Sequence, residues 1–104
     1  MANIAFILTD QLYYGFRLAG TPRCFLSGDP DRTAHIINEL VAAKETSVIF
    51  IEKNLVDSLP EKDRERVNSS ESPFFFQIDI SGSKSYREEL YDLIKNAGIN
   101  INGS

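Results

Sequence analysis

Residues 47–52 read SVIFIE, four β-branched or aromatic apolar residues in unbroken succession between a serine and a glutamate. A strand with one wet face would alternate apolar and polar side chains. A run without alternation belongs to a strand covered on both faces, as in a parallel sheet. Its β-branched residues favour the extended backbone. Residues 4–8, IAFIL, repeat the pattern. Two further stretches complete the set. Arg23–Ser27 is short and carries Cys24, Phe25 and Leu26. Phe74–Asp79 (FFFQID) follows Pro73, and proline suits a strand start or a sheet edge because it cannot donate to the ladder.

Between these runs lie helical stretches with readable ends. Asp29 is an N-cap with Pro30 at the first helical position, and Ile36, Ile37, Leu40 and Val41 form the stripe beneath. Near the C-terminus Ser85 and Glu88 fit a capping box, Leu90, Leu93, Ile94 and Ala97 share one face, and Gly98 stands where a left-handed residue ends a helix. Tyr13–Ala19 reads as a helix with Gly15 near its start and Gly20 at its finish. In Asn54–Ser70, Leu55, Val56 and Leu59 look helical until Pro60, which ends that turn or begins a new one. The charged segment EKDRERVNSS after it reads as a solvated helix with a frayed end.

The order β-α-β-α-β-α-β-α, joined by right-handed crossovers, predicts an α/β fold. It is a small doubly wound four-stranded parallel sheet with helices on both faces, flavodoxin-like or receiver-like, with expected strand order 2-1-3-4. A chain of 104 residues fits one such domain, 1–104, with 99–104 as a mobile C-terminal tail. Hydrophobic residues make up 42 % and charged residues 25 %, a globular composition. The net charge of −4 and pI near 4.9 argue against binding a nucleic-acid backbone or an anionic lipid surface. No stretch approaches the ~20 apolar residues that span a bilayer. The N-terminus lacks the basic flank of a signal peptide. A single cysteine forms no internal disulfide, which fits a reducing cytoplasm.

Doubly wound sheets bind ligands beyond the carboxyl ends of their strands. Here that rim carries Thr9 and Asp10, Ser27 and Gly28, Glu52 and Lys53, and Asp79 to Gly82. A phosphate cradle needs glycines at fixed spacing after the first strand, but TDQLYYGF offers one glycine and two tyrosines. A phosphoacceptor receiver needs paired acids after the first strand and an aspartate closing the third, to hold Mg²⁺. Asp10 is available for the first role, yet Gln11 follows it and Glu52, a longer side chain, closes the third strand; Asp10 reads better as a helix N-cap or loop acid. A catalytic thiolate belongs at a strand end above a helix N-terminus, whereas Cys24 lies inside the second strand and reads as an inert thiol. His35, the one histidine, has no neighbouring ligand residues. The expectation is a chain without catalytic residues, cofactor or metal.

Residues 13–20, YYGFRLAG, then weigh as an adhesive surface. In the plain reading Tyr14, Leu18 and Phe16 cover the sheet as any βα unit requires, with Gly20 as the stop. Yet Tyr13, Tyr14, Phe16 and Arg17 exceed what one amphipathic stripe buries, and Tyr and Arg are enriched at binding hot spots. GFRLAG just after a first strand IAFILTD resembles the F subunit of the V-type and archaeal A-type rotary ATPases. The segment VIFIEKNLVDSL is similar to that family's I-x-I-T-E-K-x-x-x-x-I-like stretch, and the proline-led fourth strand and I-N-I-like tail fit as well. Pro60 and the FFF run depart from the family pattern. The resemblance implies a non-catalytic central-stalk component that binds the coiled-coil D subunit and turns inside the A/B catalytic ring. It would help couple ATP hydrolysis or synthesis to H⁺ or Na⁺ transport, as a cytoplasmic component peripheral to the membrane. Carried onto this sequence, the partner interface is Gly15, Phe16, Arg17, Leu18, Ala19 and Gly20, with Phe16 and Arg17 supplying contact and the glycines shape. The rival readings are a receiver-like signalling domain phosphorylated on a carboxylate, and a flavodoxin-like domain stacking a flat ligand on its aromatics.

Overall fold

The computed structural model describes residues 3–79. The expected helix over 85–97, its caps, the 99–104 tail and the rim residues Ile80 to Gly82 lie outside that range. Four strands, β1 (Ile4–Leu8), β2 (Cys24–Leu26), β3 (Val48–Glu52) and β4 (Phe74–Ile78), pair in parallel in the order β2-β1-β3-β4. The helices are α1 (Asp10–Leu18), α2 (Pro30–Ala43), α3 (Lys53–Asp57) and α4 (Glu61–Ser69). Both the α/β class and the 2-1-3-4 order agree with the sequence reading.

The unbroken apolar runs have the expected cause: side chains alternate between two buried faces. Ala5, Ile7, Ile49, Ile51 and Phe75 point to one face, where Ile36, Ile37 and Leu40 of α2, Leu55 and Val56 of α3, Leu59, and Val67 of α4 cover them. Phe6, Leu8, Cys24, Phe50 and Ile78 point to the other, under Leu12 and Phe16 of α1. The second face is aromatic. Phe6 stacks on Phe50 with centroids 5.1 Å apart, Phe16 lies 5.4 Å from Phe6, and Phe76 lies 5.4 Å from Phe50.

Local signals set most helix ends. Asp29 caps α2 by accepting the Arg32 N–H at 2.7 Å. Pro60 does both things its position allowed: α3 stops before it, and it serves as the N-cap of α4. α4 is polar nearly all round, with Val67 its buried residue. The first helix differs from expectation, beginning at Asp10 with Thr9 as its N-cap, so Asp10 is a first-turn acid and not the cap itself.

Candidate interaction surface

At the tips of β1, β2 and β3 the described rim residues bond to one another. Glu52 ends β3 with no solvent exposure. Its carboxylate accepts the Thr9 N–H at 3.1 Å and the Thr9 hydroxyl at 2.9 and 3.0 Å. Thr9 follows β1, so this clasp spans β1 and β3, the point where doubly wound sheets open a ligand crevice. Burial pushes the Glu52 carboxyl above its ordinary range; the Thr9 hydrogen bonds oppose that, and the Asp10 charge adds to it. Beside β2 the Ser27 and Thr33 hydroxyls sit 2.7 Å apart, and each donates to the Asp29 carbonyl, at 3.1 and 2.9 Å. Lys53 turns back to Asp57 at 3.0 Å.

That arrangement bears on the receiver reading. An attacked carboxylate must face the crevice, and the Glu52 carboxylate is inside the fold on Thr9. Among the described residues no group of three or more His, Cys, Asp or Glu converges to hold a metal. Cys24 is buried, its thiol donating to the Thr21 carbonyl at 3.6 Å; burial pushes its pKa up to about 11, with the Arg17 charge acting the other way. His35 is exposed and pairs with Glu39 one turn on, at 3.0 Å.

The GFRLAG segment forms the second half of α1 and its exit. Phe16 is 3 % exposed and belongs to the aromatic core, so it holds α1 to the sheet. Gly15 and Ala19 are half-buried, while Arg17, Leu18 and Gly20 are exposed. The helix ends in a Schellman arrangement: the Gly20 N–H reaches the Arg17 carbonyl and the Thr21 N–H reaches the Phe16 carbonyl, both at 3.0 Å. Gly20 adopts φ +82°, a left-handed conformation that a side chain would strain. Outward from this frame point Leu18, 89 % exposed, and Tyr14, 58 % exposed. The Arg17 guanidinium lies 6.0 Å over the Tyr13 ring, and Tyr13 meets Tyr14 edge to face at 5.2 Å.

Sequence reasoning missed two things here. The Glu52–Thr9 clasp had a faint signal, an acid closing one buried run and a hydroxyl closing the other. The reading in which Tyr14, Leu18 and Phe16 cover the sheet holds for Phe16 alone: Tyr14 and Leu18 face out, because Leu12 and Phe16 already fill the inner side of α1. No helix among the described residues is long and apolar enough to cross a membrane.

Comparison with known proteins adds two findings. The family model for the ATP synthase (F/14-kDa) subunit matches residues 4–97. A curated relative, the F subunit of the A-type ATP synthase of Methanosarcina mazei, is 27 % identical over 90 residues, covering 85 % of this chain and 89 % of its own length. No solved structure matches at a significant level.

Proposed function

This chain belongs to the family of the ATP synthase (F/14-kDa) subunit, and on that premise we propose that it is a non-catalytic central-stalk component of an A-type or V-type rotary ATPase. In this reading it binds the long coiled-coil D-type subunit and rotates with it inside the A/B catalytic ring. It thereby helps couple ATP hydrolysis or synthesis to the movement of H⁺ or Na⁺. The protein works on the cytoplasmic side, peripheral to the membrane, and nucleotide and ion chemistry belong to other chains of the assembly.

The observation that carries the proposal is the family match over residues 4–97, nearly the whole chain. The physical character of the domain supports it. A rotor component must transmit force without yielding, and a sheet buried on both faces suits that work. The crevice that other doubly wound proteins use for ligands is here bridged by Glu52 and Thr9. The segment Gly15 to Gly20 serves as the partner-facing element: Phe16 fixes it to the sheet, Gly20 sets its exit, and Arg17 and Leu18 are presented outward.

Co-expression with the coiled-coil D-type subunit, followed by gel filtration, tests the proposal. The two chains should co-elute as a stable heterodimer. Separate elution at micromolar concentration would overturn it.

A further inference from the structure

We propose that the outward face of α1, formed by Tyr14, Arg17 and Leu18, docks onto an α-helix of a partner that sets an acidic side chain against Arg17. The inference rests on the stalk reading above and adds to it the surface and the chemistry of the contact.

Three observations support it. First, the attachment of α1 to its own domain is complete without these residues. Leu12 and Phe16, 2 % and 3 % exposed, already fill the inner side. Scattered single apolar residues on a surface are ordinary. Tyr14 and Leu18, however, are two of the three large apolar side chains exposed among the described residues, and they sit on one nine-residue helix.

Second, their spacing is four. Residues at i and i+4 stand one above the other and form a ridge inclined to the helix axis. Such a ridge packs into the groove of another helix, the commonest way two helices meet. With a net charge of −4 and Arg17 as the cation of this face, an anionic lipid surface is a poor occupant.

Third, the charge is placed to orient a partner. Arg17 is exposed beside Leu18 and one turn from Tyr14, and no carboxylate pairs with it among the described residues. On an acidic chain, an acidic helix is repelled by most of the surface and attracted here. Complementarity of that kind fixes orientation and accelerates encounter. Tyr and Arg flanked by an aliphatic residue also match the make-up of binding hot spots.

The experiment uses the full chain with the coiled-coil D-type subunit. Fluorescence anisotropy measures affinity for the unmodified chain and for Leu18→Glu and Arg17→Glu. A photoreactive phenylalanine replacing Tyr14 maps the contact by mass spectrometry. We expect each charge variant to weaken binding at least about tenfold, with Arg17→Glu also reversing the salt dependence of affinity. Thermal unfolding should shift only slightly, since neither side chain is buried and Arg17 gives up only its exposed contact with the Tyr13 ring and its place in the last turn of α1. Cross-links should fall on a helical segment with an Asp or Glu within one turn. Unaltered affinity in both variants, or cross-links on a non-helical segment, would overturn the docking face while leaving the stalk assignment standing. No binding by the unmodified chain would count against the stalk assignment itself, and the docking face would fall with it.

Discussion

Two helices of this molecule are anchored in opposite ways. α2 is fixed locally: Asp29 caps it through the Arg32 N–H, Pro30 opens it, and Ile36, Ile37 and Leu40 turn inward while His35 and Glu39 pair in solvent. α1 is fixed by tertiary contacts. Its N-cap, Thr9, makes no capping bond, because the hydroxyl is held by Glu52 at the end of a strand 43 residues away. Its inner side packs into the aromatic face through Phe16, and its outer side displays Tyr14 and Leu18. The contrast separates a helix that only completes the fold from one that the fold presents. Where a helix carries apolar residues on both sides, the sheet's contacts, and not the helix's own pattern, decide which side faces out.

Core truncation gives the largest expected effect. Phe16→Ala should cost about 3–5 kcal/mol in urea denaturation, because the emptied ring site beside Phe6 is a cavity in a stacked aromatic layer. A cost below ~1 kcal/mol would mean that α1 is not held by that face. Next comes the clasp. Thr9→Val removes the hydroxyl that Glu52 accepts and should destabilise by about 1–3 kcal/mol at neutral pH, the penalty of an under-paired buried acceptor.

The same clasp predicts the sign of a pH dependence. Burial raises the folded-state pKa of Glu52 above the ordinary 4.5, so the folded chain keeps this proton to higher pH than the unfolded chain. The contribution of Glu52 to stability is therefore greatest below the unfolded value and declines as pH rises through the folded one. Comparing denaturation midpoints at several pH values, Glu52→Gln should flatten that decline; an unchanged slope would remove Glu52 as its source.

The local anchor of α2 is expected to matter less. Asp29→Ala should cost about 0.5–2 kcal/mol by freeing the Arg32 N–H, and this loss should not alter the pH slope that Glu52 sets. Smallest of all, Leu18→Ala should leave stability within about 0.5 kcal/mol, since the side chain is almost fully in solvent. A larger loss would place Leu18 in the domain's own packing and end the contrast between the two sides of α1.

Much of this was legible without coordinates. The unbroken runs IAFIL and SVIFIE announced strands buried on both faces, and the 2-1-3-4 order expected of a doubly wound sheet is the order found. The caps at Asp29 and Gly20 were readable because capping is chemistry between near neighbours in the chain. The family resemblance in GFRLAG and VIFIEKNLVDSL led to the same family that the comparison found.

Short-range pattern, readable from the residues alone, was enough to set the strands, their parallel class and the caps at Asp29 and Gly20. Packing in three dimensions was needed to turn Phe16 inward and Arg17 and Leu18 outward, and to set Glu52 on Thr9 across the tips of β1 and β3. Those outcomes depend on which side of a helix meets a sheet and on which side chains meet across 43 residues of chain, and neither relation is written in local spacing.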